Sequence, residues 1–83
     1  MILEIITTEK IFYRGQTEMV NLPGSNGQFT VLQNHAPMIA MVSPGTVHFR
    51  TGQKDQNVLI SSGFVRIHHN VITVCVEHAE FAG

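Results

Sequence analysis

Apolar and polar residues alternate along most of this chain in short runs, and Gly, Pro, Asn and Asp cut the runs at close intervals. A period of two marks a strand with one face on a core, because successive side chains point to opposite sides of an extended backbone. Ile2 to Thr8 reads as a first strand with Glu9-Lys10 as its turn, and Ile11 to Tyr13 as a short second piece closed by Arg14-Gly15. Gln16 to Leu22 follows, with Val20 and Leu22 on one face and Thr17, Met19 and Asn21 on the other. Pro23-Gly24-Ser25-Asn26-Gly27 is the strongest turn signal in the chain. Beyond it, Gln28 to Leu32 is a strand in which Phe29 and Val31 share a face, and Gln33 to Pro37 is a loop.

Met38 to Val42 breaks the alternation by being apolar throughout, which predicts either an interior strand buried on both faces or one covered by a partner. After Ser43-Pro44-Gly45, Thr46 to Thr51 alternates again, with Val47 and Phe49 to one side and Thr46, His48 and Arg50 to the other. Gly52-Gln53-Lys54-Asp55 turns into Gln56 to Ile60. Phe64 to His68 and Val71 to Val76 flank His69-Asn70, residue types that tolerate the positive φ of a type I′ hairpin turn. Alternation places the rings of Phe29 and Phe64 in the core, and the tail from Glu77 to Gly83 has room only to open a helical turn.

Composition sharpens this picture. Nine Val, eight Ile and seven Thr stand against four Ala and four Leu, so residues suited to pleated surfaces far outnumber strong helix formers. The fold class expected is all-β, a sandwich or barrel in a single domain over residues 1–83. Charged residues make up 13% with a net charge of −1, which excludes the basic face that a nucleic-acid partner requires. The one cysteine, Cys75, rules out an internal disulfide and fits a reducing compartment. No apolar run approaches the roughly 18 residues of a membrane span, and Glu4 interrupts the first apolar stretch, so neither insertion nor a signal peptide is expected.

Catalytic chemistry has no obvious seat. His35, His48, His68, His69 and His78 contain no pair two residues apart, the spacing that would put two ligands on one strand face. His68 and His69 are expected to point apart at their turn, and all five are read as solvated surface and turn residues, with a small β-sandwich metalloenzyme as the alternative. Cys75 and His78 form the one candidate thiol dyad, but an odd offset along a strand turns them to opposite faces, and Cys75 is read as a small packed residue. Gly24-Ser25-Asn26-Gly27 lacks the Lys-Ser/Thr pair and following helix of a phosphate loop. The six carboxylates are dispersed.

Three blocks in order carry a resemblance. They are Pro23-Gly24, Gly27, Phe29 and Val31-Leu32 running into His35-Ala36-Pro37-Met38; Pro44-Gly45-Thr46-Val47; and Ser62-Gly63-Phe64-Val65 followed by Val71, Thr73 and Val74. The series resembles the amino-terminal domain of the epsilon subunit of rotary F-type ATP synthases and covers roughly residues 2 to 80. The resemblance implies a flattened two-sheet β-sandwich of about eight to ten short strands. It also implies a non-catalytic central-stalk subunit without cofactor, joining the gamma subunit to the c ring at the cytoplasmic face of the bacterial plasma membrane. Carried over by position, Ser25, Asn26, Gly27 and Gln28 match the turn that touches the c ring, and His35, Ala36, Pro37 and Met38 match the segment placed near gamma. Thr30 stands where the family commonly has Gly, and Gln33-Asn34 where it has Pro-Gly; Asn34 can take the left-handed conformation a Gly would. Many relatives continue into a carboxy-terminal helical hairpin that restrains ATP hydrolysis. The expectation here is a short form without that hairpin and without its nucleotide site.

Overall fold

The computed structural model describes residues 1–82. The β-branched runs form strands β1 (Ile2–Ile6), β2 (Ile11–Gln16), β3 (Met19–Leu22), β4 (Phe29–Leu32), β5 (Met38–Val42), β6 (Gly45–Thr51), β7 (Lys54–Ile60), β8 (Gly63–His68), β9 (Val71–Val76) and β10 (Ala79–Phe81). They assemble into two five-stranded sheets, ordered β2-β1-β9-β8-β5 and β10-β7-β6-β3-β4. Neighbours run antiparallel except β1 and β9, which pair in parallel from Ile2 with Val71 to Ile6 with Cys75. The expected all-β sandwich is therefore present. Its core is the set of alternate side chains that the two sheets turn toward each other, among them Leu3, Ile5, Ile72, Val74, Val65 and Ile67 from one and Val20, Leu22, Val31, Val47, Phe49 and Val58 from the other.

Four expectations need correction. The run from Gln16 to Leu22 is two strands in different sheets, because the chain crosses the sandwich at Thr17-Glu18. Thr17 is buried at that corner, its hydroxyl donating to the Arg50 carbonyl at 2.7 Å while the Glu18 N–H reaches the same carbonyl at 3.0 Å. Polar residues run from Gln16 to Glu18 with no Gly or Pro among them to mark the corner, which hides it in the sequence. The tail does not open a helical turn: Ala79 to Phe81 pairs antiparallel with β7, and Phe81 sets its ring 5.1 Å from Phe12. A sheet edge offers unpaired donors and acceptors that a single helical turn could not match.

Phe64 is 43% exposed rather than in the core, since Val65 and Ile67 take the inward positions of β8. His68 and His69 do not point apart; their rings meet at 3.9 Å in a T-shaped contact. Alternation holds only for extended backbone, and His69 and Asn70 both have positive φ (50° and 59°), as the expected I′ turn requires.

Candidate functional site

The turn after β3 is shaped by two glycines for different reasons. Gly27 has φ of 123°, where a side chain is strained. Gly24 is needed for closeness instead: a Cβ there would stand 2.6 Å from the Gly27 carbonyl and 2.9 Å from the Phe29 ring. The turn closes on itself through Gly27 N–H to the Gly24 carbonyl (3.0 Å) and is stapled to β5 in the opposite sheet. Ser25 N–H donates to the Met41 carbonyl at 3.0 Å and Ser43 N–H to the Pro23 carbonyl at 2.8 Å, an antiparallel bridge centred on Gly24 and Val42. Ser25, Asn26, Gly27 and Gln28 are left exposed. Between them and Met38 to Met41 lies an open groove of about 730 Å³.

The loop between β4 and β5 is held differently. Asn34 takes the left-handed conformation at φ 65°, so the bend survives without a glycine. Its N–H donates to Asn70 Oδ1 at 2.7 Å, and Asn70 Nδ2 returns a bond to Asn34 Oδ1 at 3.1 Å. His35 N–H reaches the Leu32 carbonyl (3.2 Å), and its Nδ1 lies 2.8 Å from the Ala36 carbonyl, a contact that requires the proton on Nδ1. Ala36 and Pro37 are exposed, His35 and Met38 half-buried. The two candidate segments thus occupy opposite ends of β5, about 13 Å apart at the rise of a strand. Met38 alone of its group joins the turn along the groove, while Asn34, just before the group, is bonded to Asn70 of the β8–β9 turn.

β5 is an edge strand with its inner face on the core and its outer face bare: Ile39 is 71% and Met41 61% exposed. Burial on both faces is excluded. Register extends this surface beyond what the sequence pattern revealed. Met41 stands opposite Phe64, Phe64 opposite Cys75, Cys75 beside Ile6, and Ile6 opposite Ile11, an apolar row across all five strands of the sheet. On the other sheet a row through Thr30, Asn21, His48 and Asn57 is polar, and Leu32 and Leu59 are exposed on the same face. Apolar alternation cannot find the first row, because its members lie on five separate strands.

Chemically active arrangements do not converge on these surfaces. Among the described residues no three His, Cys, Asp or Glu side chains gather as a metal site needs. His48 and Arg50 both contact Asp55, at 3.3 and 2.9 Å, and the hydrogen bond from Arg50 leads in holding the Asp55 carboxyl below its ordinary value. Cys75 is half-buried on the outer face, where burial, and then Glu4, push its thiol upward and away from a reactive thiolate. His78 lies beyond β9 and is tied through its backbone to Ser61, whose hydroxyl accepts its N–H at 3.0 Å.

Known proteins agree with this geometry. The epsilon chain of ATP synthase from Leptospira borgpetersenii is 34% identical over 76 residues, which are 92% of this chain and 60% of that one. The corresponding chain of Desulfosudis oleivorans is 39% identical over 79 residues, 94% and 59% of the two lengths. The chain spans about 60% of the length of the curated relatives it matches. In fold it superposes on a chain from the Euglena gracilis mitochondrial ATP synthase OSCP/F1/c-ring assembly with a TM-score of 0.90 at 19% identity, covering 98% of this chain and 52% of that one. A chain of the Tetrahymena thermophila central stalk and c-ring structure gives 0.80 at 13% identity, covering 95% and 64%. Residues 1–82 match the family model described as the ATP synthase, Delta/Epsilon chain, beta-sandwich domain, and the chain belongs to that family.

Proposed function

We propose that this domain is a non-catalytic element of the central stalk of an F-type ATP synthase, joining the gamma subunit to the c ring so that ring rotation reaches the catalytic head. The observation that carries the reading is the apolar row from Met41 to Ile11, which crosses all five strands of one sheet, whereas Leu32 and Leu59 are exposed singly among polar residues on the other. A surface row of this kind is stable in water only at a cost that a partner relieves by covering it. The gamma subunit fits as that partner through His35, Ala36, Pro37 and Met38, which lead directly into the exposed edge of β5. Ser25, Asn26, Gly27 and Gln28, at the far end of the same strand, fit the c ring.

Transmission of torque needs a body that does not shear, and the two contact segments are pinned to it rather than hung from it. The turn is hydrogen-bonded across to the second sheet, and the loop is clamped to the β8–β9 turn. The role needs no cofactor, no nucleotide and no covalent step. It places the domain peripherally at the cytoplasmic face of the bacterial plasma membrane, through the complex; no helix among the described residues is long and apolar enough to cross a membrane.

Copurification tests the proposal. A tagged gamma subunit should retain this chain, and the pair should capture c rings from detergent. Recovery of neither partner would overturn the stalk role.

A further inference from the structure

We propose that the β8–β9 turn is a proton-operated latch on the loop from Gln33 to Pro37, in which protonation of His68, in ring contact with His69, releases the clamp between Asn70 and Asn34. The argument starts from the ring contact. Two adjacent strand residues would face opposite ways, and the imidazoles meet at 3.9 Å because His69 sits at φ 50°. The contact and the left-handed backbone at residue 69 are thus one conformation. That conformation is costly for a residue with a Cβ. It also sets Asn70, at φ 59°, so that its side-chain amide both accepts from Asn34 N–H (2.7 Å) and donates to Asn34 Oδ1 (3.1 Å).

Placing charge on the His68 ring reverses the balance. A charged His68 ring is disfavoured where it is packed against His69 and lies beside Arg66, and the rings separate when His69 returns to the negative φ it otherwise prefers, which turns the following peptide and takes Asn70 off Asn34. The surroundings offer no relief. Arg66 lies on the same face of β8, and Val71 of β9 and Ile2 of β1 complete the row of His68 without charge. The Met1 ammonium is bonded to the Thr17 carbonyl at 3.3 Å, and Glu4, in the row of Arg66, is held by Arg14 at 3.2 Å. On β5, Met38 stands opposite Ile67 and is neutral; on the loop, the titratable neighbour is His35, bonded to its own chain. Burial, then His69 and Arg66, accordingly hold His68 below the ordinary 6.5. The sign follows: the clamp is fully favoured above that value and is lost as pH falls below it. The latch itself does not depend on the stalk role; its effect on gamma does, because the loop carries His35 to Met38.

An amide NMR titration of this chain between about pH 8 and pH 5 tests it. The Asn34 amide resonance should move with the midpoint of the His68 ring and end where it lies in Asn70→Gly, a variant that keeps the positive φ but cannot accept the bond. In the double variant His68→Gln, His69→Asn, which keeps a residue tolerant of positive φ in the turn, it should stay at its neutral position. An Asn34 resonance that ignores the His68 titration, or that moves equally in the double variant, overturns the latch.

Discussion

Truncating Phe49 and Phe64 to alanine, one at a time, separates the inside of this domain from its working surface. Both rings sit on strands with the same apolar alternation, yet Phe49 is fully buried, 4.9 Å from the Tyr13 ring, whereas Phe64 is 43% exposed between Met41 and Cys75. Removing the Phe49 ring leaves a cavity between two facing sheets and should cost about 3–5 kcal/mol. A domain of this length has a total stability of roughly 4–12 kcal/mol, at about 0.05–0.15 per residue, so that loss consumes much of it. For Phe64 little more than half the ring area is withdrawn from water and no enclosed cavity forms. The cost is then about 1–1.5 kcal/mol, half the value of full burial. At about 4–8 °C per kcal/mol, Tm should drop on the order of 20 °C for Phe49→Ala and roughly 5–10 °C for Phe64→Ala. Urea and thermal melts measure the first difference, and retention on tagged gamma measures the second: Phe64→Ala should remain folded yet bind gamma more weakly. Equal stability losses, or a folded Phe64→Ala bound as tightly as the parent, would refute the division into core and contact row.

Three further outcomes are expected. Gly63→Ala should destabilise by about 1–3 kcal/mol or more, read from urea midpoints, because a Cβ there overlaps the Cys75 carbonyl across the β8–β9 ladder and backbone cannot step aside. Gln28→Lys should change stability by no more than about 0.5 kcal/mol, since the side chain is exposed at the turn, while weakening proton pumping in the reassembled complex; unchanged pumping counts against the c-ring contact. Asp55→Asn should remove a contribution that is full above the ordinary carboxylate value of 3.8 and lost as pH falls through the lower folded value, because Arg50 and His48 favour the charged form. The stability gap between parent and variant, compared near neutrality and in acid, should therefore close in acid.

How much of this was readable in advance depends on the range of the interaction. Val20 and Leu22, Phe29 and Val31, and Val47 and Phe49 share faces as their spacing dictates, because alternation is a property of neighbours along one backbone. Asn34 and the His69-Asn70 turn were also local matters, decided by which side chains tolerate positive φ. The failures have non-local causes. Thr17 marks a change of sheet that becomes visible only when Arg50, 33 residues away, is seen to accept its hydroxyl. Phe64 belongs to an outward position because Val65 and Ile67 claim the core, a contest that composition does not decide. The tail pairs with β7 because that edge is there to be covered.

The same distinction governs the site. The turn from Ser25 to Gln28 and the segment from His35 to Met38 carry local signatures, so a motif finds them. The row linking Met41, Phe64, Cys75, Ile6 and Ile11 exists only through four separate strand pairings, including the parallel one between β1 and β9. Shifting any one of those strands by a single residue would send its member of the row into the core and bring a core residue out. The buried face therefore fixes the outer face: Leu3, Ile5, Ile72, Val74, Val65 and Ile67 must point inward, and Ile6, Cys75 and Phe64 are left where they are by default. An apolar residue in such a default position adds nothing to the core it faces away from. Under the proposed stalk role, the apolar row on five adjacent strands is the surface that meets another protein, and the edge strand, its two terminal loops and the sheet beside it act as one docking body.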